Sequence, residues 1–200
     1  MVNGGHMEHF ENLKKYLEGF LTLPPLEWLR LAKSLRIRSL EKGEFYIRQG
    51  EPVHELGFVI KGLLYNFYTN DKGQEFVKYF IPENNLVACY SSLLQDVPAV
   101  FSCQAWEPTT LVTLQYSELQ KFYKAHSAWE RIGRLSAEKL FIEMEKREQE
   151  FMMADAKTRY ENLIKAKPGL PQRVPQYLIA SYIGISPVSL SRIRAQDLSS

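Results

Sequence analysis

Between Ile37 and Leu114, short runs rich in Phe, Tyr, Val, Ile and Leu are broken by turn signals. The signals are Lys42-Gly43, Gln49-Gly50-Glu51-Pro52, Lys61-Gly62, Asn70-Asp71-Lys72-Gly73, Pro82-Glu83-Asn84-Asn85 and Glu107-Pro108. Turns spaced by roughly ten residues predict short antiparallel strands in an all-β sandwich or roll. Asn70 to Gly73, between LLYNFYT and EFVKYFI, is a hairpin signal, because Asn and Gly tolerate the backbone such turns require.

Helical patterns flank this stretch. MVNGGHM (residues 1–7) is set aside from fold reasoning. Phe10, Leu13, Leu17, Phe20 and Leu21 form one stripe up to Leu23. Pro24-Pro25 interrupts it, and Leu26 to Leu35 resumes the period. After the β-rich stretch, Ser117 to Tyr123 reads as a short helix capped by Ser117. Ser127 to about Met153 reads as one long helix without proline. The long helix carries two largely apolar stripes: Trp129, Gly133, Ala137, Leu140, Met144, Glu148 and Phe151, then Ile132, Leu135 and Ile142. Two stripes need two surfaces, the roll for one and a second copy of the same helix for the other. Asp155 to Ala166 predicts a further helix, and Gly169 to Pro175 a proline-punctuated connection.

The last segment, QYLIASYIGISPVSLSRIRA (Gln176 to Ala195), has the pattern of a helix-turn-helix. Ile179, Ala180 and Ile183 share a helical face, and Leu190 and Ile193 share another. Ala180 is small where two helices would cross. Gly184 suits a turn with positive φ. Ser186 suits a helix N-cap and Pro187 the first helical position. An ordinary αα-hairpin is the plain alternative. Charge is uneven: Ala156 to Ser200 holds seven Lys/Arg against two acids, so this end is biased toward a polyanion.

Two cysteines, Cys89 and Cys103, are too few for a disulfide scaffold or a four-thiolate cluster. They read as small core residues, with a redox pair as the alternative. No apolar run approaches a membrane span, and the first residues lack a signal-peptide pattern, so a cytoplasmic protein without membrane contact is expected. No phosphate loop, nucleophile elbow or metal-spaced Cys/His set occurs, so neither an enzyme nor a cofactor or metal site is expected.

A Gly-punctuated roll, then a long helix, then a helix-turn-helix resembles the Crp/Fnr family of transcription regulators. The resemblance rests on LEKGEFYIRQGEPVHELGFVIKGLLYNFYTNDKGQEFVKYF, with Gly43, Gly50, Gly62 and Gly73 at the family's turns, and on QYLIASYIGISPVSLSRIRA. It implies an α+β protein in three parts. Residues 1–126 form a cyclic-nucleotide-binding-like antiparallel β-roll (jelly-roll-like) sensor domain with flanking helices. Residues 127–153 form a long dimerisation helix, and 154–200 a small helix-turn-helix DNA-binding domain. It also implies a homodimer that reads double-stranded DNA with two recognition helices, RNA polymerase as a further partner, and a small-molecule effector. By family match, Arg192 reads a base and Ser189 reaches phosphate; Ser186, at the helix N-terminus, is placed to reach one too. Val188, Ser191 and Arg194 share the outward face.

The phosphate-binding cassette of cyclic-AMP-binding members is altered. The matching stretch is NLVACYSSLLQDVPAVFSCQA, with Val87-Ala88 where the family has Gly-Glu and Pro98-Ala99 where it has the arginine. No Lys or Arg lies between Tyr79 and Pro108, so a buried phosphate would lack a cation. Cyclic-AMP binding is therefore not expected. Cys89, Tyr90, Ser91, Ser92 and Ser102 are left as candidate lining of a pocket for another effector, or as turn caps. A haem sensor would have His54 as its single histidine in the roll. Seven residues follow Ile193, too few for the family's winged hairpin after the recognition helix. Two other readings stand beside the regulator. One is a module acting through protein contacts with a vestigial DNA-binding domain. The other is a cupin-type metalloenzyme, for which four histidines are a poor supply.

Overall fold

The computed structural model describes residues 4–197, with side chains from Phe10 to Ala195. Among the described residues, β1 (Arg36–Leu40), β8 (Thr109–Gln115), β3 (Glu55–Lys61) and β6 (Leu86–Val87) form one antiparallel sheet in that order. β2 (Phe45–Ile47), β7 (Ser102–Ala105), β4 (Leu64–Thr69) and β5 (Glu75–Ile81) form the second. The expected antiparallel roll is present. Its interior is apolar: Val59, Leu64, Cys89, Cys103 and Leu111 are wholly buried between the sheets.

The turn signals act as read. Asn70 closes the β4–β5 hairpin by accepting the Lys72 and Gln74 amides, both at 3.0 Å. Gly62 has φ +100°, and a Cβ there would lie 2.6 Å from the Pro108 carbonyl oxygen. No side chain fits that crossing.

Helices cover both outer faces. On the first sheet, Phe58 and Val112 meet Phe10, Leu13 and Leu17 of α1 (Gly4–Glu18) and Leu31 of α2 (Pro25–Ser34). Phe122 of α4 (Tyr116–Ala125) and Trp129 and Ile132 of α5 (Ser127–Met153) complete that cluster. On the second sheet, Tyr65, Phe67, Val77 and Phe80 meet α6 (Ala156–Ala166), α7 (Leu170–Arg173), α8 (Gln176–Ile183) and α9 (Pro187–Asp197). A β-bulge at Asn66–Phe67 shifts the register, so Val77 and Phe80, three residues apart, both reach the outer face. The result is four layers, helices on each side of two sheets. α3 (Tyr90–Gln95) lies in the cassette stretch.

Several local expectations shift. α1 begins at Gly4, inside the tail set aside above, and ends at Glu18 rather than Leu23. α4 begins one residue before Ser117, which makes no cap bond. The Gly169–Pro175 connection contains the helical turn α7. α5 has the expected bounds, started by His126, whose Nδ1 accepts the Ala128 amide at 3.1 Å. Only its first turns are buried, at Ala128, Trp129 and Ile132. Leu140, Phe141, Ile142 and Met144 are exposed.

Candidate nucleic-acid interface

α8 and α9 enclose a sharp turn. Ile179, Ala180 and Ile183 are buried in the cluster with β4 and β5, as is Leu178. Burial of each large aliphatic side chain contributes about 2 kcal/mol. α8 ends at Gly184, φ +75°, where the Ile185 amide reaches back to the Ala180 carbonyl at 3.0 Å. The Ser189 amide then donates to Ser186 Oγ at 3.1 Å, the N-cap bond of α9, and Pro187 is its first residue. A Cβ on Gly184 would stand 2.6 Å from Phe151 Cζ, so the end of α5 closes directly over the turn.

Leu190 is wholly buried and fixes the rotation of α9. Ser186, Val188, Ser191 and Arg192 are exposed on the opposite side, while Ser189 and Arg194 are half-buried. The structure thus places the six sequence-selected residues on one helix and its cap, with the Val188 side chain well exposed and Arg192 exposed near it. An apolar methyl surface beside a guanidinium suits a base edge, where Arg can fork onto guanine and Val can meet a thymine methyl.

The positive bias of this end is smaller at the surface than in the sequence. Arg173 forks onto Glu83 with two bonds of 2.9 Å and also pairs with Glu107. Those bonds outweigh desolvation and push its guanidinium further into the charged form. Arg159 donates to the Ile183 carbonyl at 2.9 Å and to the Ala154 carbonyl at 2.6 Å. Lys167 is half-buried, and that burial lowers its ammonium pKa. The cations turned outward on α9 are Arg192 and, less openly, Arg194.

The same bonds hold the C-terminal helices to the roll. The Trp106 indole N–H donates to the Arg173 carbonyl at 2.7 Å. The Val77 amide of β5 donates to Ser181 Oγ of α8 at 3.0 Å. Arg147 of α5 donates to the Tyr182 carbonyl at 3.2 Å and lies 3.8 Å from the centre of its ring. The sequence reading missed Glu83 and Glu107, which stand among the turn signals as ordinary polar residues, and counted Arg173 only as basic charge.

The candidate effector residues have different surroundings. Cys89 Sγ and Ser92 Oγ are 3.1 Å apart, and Ser92 donates to the Pro98 carbonyl at 3.1 Å. Ser102 Oγ accepts the Gln49 amide at 3.1 Å. Ser91 is exposed. Tyr90 lines an open cleft of about 760 Å³, with Leu21, Tyr123, Ser127, Arg131 and Gly133. Inside the roll, Tyr46 Oη and Asn66 Oδ1 are buried without a hydrogen-bond partner among the described residues. His54 is exposed. No cluster of three or more metal-ligating side chains occurs among the described residues, and no described helix is long and apolar enough to cross a membrane.

Along α5, Ala137, Glu138, Phe141 and Ile142 line a shallow apolar depression of about 480 Å³. Phe141 is 66% exposed, more than the Leu140, Ile142 and Met144 of the two predicted stripes. The pattern that marked the stripes passed over it.

Residues 37–126 match the family model of the cyclic nucleotide-binding domain. No curated protein matches the chain in sequence. Among solved structures, FixK2 from Bradyrhizobium japonicum superposes with a TM-score of 0.70 at 15% identity, over 81% of this chain and 83% of that one. The c-di-GMP-responsive global regulator CLP of Xanthomonas campestris gives 0.69 at 15% identity, over 88% and 92%. The catabolite activator protein of Thermus thermophilus gives 0.55 at 23% identity, over 90% and 85%. The chain is therefore similar in fold to these proteins over most of its length, and its residues 37–126 are similar to a cyclic nucleotide-binding domain.

Proposed function

We propose that the chain is a sequence-specific DNA-binding transcription regulator of the Crp/Fnr type, acting as a homodimer in the cytoplasm. The observation that carries this reading is the rotation of α9. Leu190 is wholly buried while Val188, Ser191 and Arg192 are free to enter a major groove, behind an N-cap formed by Ser186. Ser186 and Ser189 would meet phosphate at the helix start, and Arg194 would support them. In this reading residues 1–126 are the sensor part, 127–153 the dimerisation helix and 154–200 the DNA-reading part. Phe141, Leu140, Ile142 and Met144 are the surface that a second α5 covers.

The roll is read as unresponsive to cyclic AMP. The cassette stretch has no Lys or Arg, and Ser92 and Ser102 are engaged with the turns around them. Any effector is then a ligand other than a cyclic-nucleotide phosphate, and RNA polymerase is the partner that a bound dimer would meet.

Capture of double-stranded DNA from a random pool tests the reading. Wild type enriches a roughly palindromic site, and Arg192→Ala loses the preference at one position of each half-site, about 1–3 kcal/mol of discrimination. Enrichment of no DNA would favour the alternative, a module acting through protein contacts. Phe141→Glu is expected to give monomers in sedimentation and to weaken DNA binding with it. Micromolar cyclic-AMP binding in calorimetry would overturn the reading of the cassette.

A further inference from the structure

α8 is fixed at both ends, by different parts of the chain. Its entry follows Arg173, whose guanidinium is held by Glu83 and Glu107 and whose carbonyl is held by Trp106, all three on turns of the roll or beside them. Val174 and Pro175 alone separate Arg173 from α8, and Pro175 has a fixed φ of −70°. At the exit, Arg147 and Arg159 hold the Tyr182 and Ile183 carbonyls. In between, Ser181 accepts the Val77 amide. α9 follows through a turn with no slack, because Gly184 lies under Phe151. With α8 so held, Val188, Ser191 and Arg192 are still exposed.

We propose that Arg173 is a positioning residue for DNA reading: by clamping the entry of α8 to Glu83 and Glu107 of the roll, it sets the recognition helix in its DNA-competent place without touching DNA. This rests on the reading of α9 as a DNA-reading helix. Arg173 is itself unsuited to a phosphate contact, because its donors are spent on two carboxylates. Released from the roll, the C-terminal helices sample other orientations, and the apparent affinity falls with the fraction that stays docked.

The test uses the full chain and the DNA site enriched by wild type, titrated at several salt concentrations. If Arg173→Ala leaves about a tenth of the molecules docked, the Kd rises about tenfold. The slope of log Kd against log salt and the base preference at every position stay as in wild type, since no phosphate or base contact is lost. Arg173→Lys falls between, because an ammonium cannot fork onto two carboxylates. Hydrogen exchange gives a second readout independent of DNA. The Val77 amide and the α8 amides lose protection in Arg173→Ala while β3 and β8 keep theirs. The Glu83→Gln/Glu107→Gln pair reproduces these effects and serves should Arg173→Ala fold poorly. Unchanged or tighter DNA binding by Arg173→Ala overturns the proposal, as does a salt slope lowered by about one, the mark of a direct phosphate contact. Failure of wild type to enrich any DNA overturns the DNA reading itself, and is seen before any Arg173 variant is measured.

Discussion

The Trp129 indole N–H donates to Glu27 Oε2 at 2.9 Å, joining α5 to α2 across 102 residues of sequence. Both residues are buried, and the second carboxylate oxygen of Glu27 pairs with Arg30 at 2.6 Å. This bond seats the buried first turns of α5 against the roll, and so fixes where the rest of the helix emerges. Glu27→Ala leaves a buried donor unpaired, a loss of about 2 kcal/mol. For a chain of this size that lowers Tm by roughly 5 °C. Glu27→Gln keeps an acceptor and is expected to lose less than half as much. Thermal unfolding followed by circular dichroism checks both; equal losses would show that the indole bond contributes little.

Gly184 carries a conformational and a steric demand that can be separated. Its φ of +75° disfavours any Cβ by about 1 kcal/mol, and the Phe151 ring 2.6 Å from that Cβ adds a clash. Gly184→Ala is expected to destabilise by about 2 kcal/mol and to weaken DNA binding. Phe151 is 46% exposed, so its ring can be removed with little loss of core. In a Phe151→Ala background, Gly184→Ala should cost only the conformational part. Denaturant titrations of the four proteins measure this; an undiminished loss in the double variant would remove Phe151 from the account.

These cases show what was readable in the chain. The hairpin at Asn70–Gly73 and the turn at Gly184 are written locally, because each demands a residue type that little else explains. The face of α8 and the burial of Leu190 were readable from helical periodicity for the same reason, whereas Ile193, expected on the face of Leu190, is half-buried. The seat of α8 on β5 was not. Its parts, Val77 and Ser181 or Glu83 and Arg173, lie 104 and 90 residues apart, and each looks ordinary alone. The candidate effector residues illustrate the opposite limit. Ser92 and Ser102 carry the right groups for a pocket, but the turns around them claim those groups first. The exposure of Phe141 follows from rotation of α5 about the Trp129 anchor, which periodicity alone does not set.

Cys89 and Cys103 are wholly buried, and burial pushes the Cys103 thiol well above its ordinary range. Since the thiolate is the reactive form, neither accessibility nor ionisation favours reaction at Cys103. The native protein at pH 8 is expected to leave both thiols unmodified by a disulfide reagent over minutes, and to titrate two thiols once denatured. Rapid labelling of one native thiol would mean that the roll opens locally around α3.

Docking of α8 should respond to acid through Glu83. Burial opposes its ionisation, but bonds from Arg173 and from the Gly62 amide prevail and hold its carboxyl below the ordinary value of 4.5. A depressed value means that the carboxylate stabilises the docked state at pH above 4.5, and that this is lost as pH falls through the lowered value. With Glu83 about a third exposed, screening limits the contribution to about 1 kcal/mol. At pH 7, Glu83→Gln should therefore lower the protection of the Val77 amide about fivefold, and the difference from wild type should shrink as the pH falls below 4.5. Hydrogen exchange of the two proteins over that range checks it. A difference that grows toward acid would carry the wrong sign for a salt-bridged carboxylate and would remove Glu83 from the clamp.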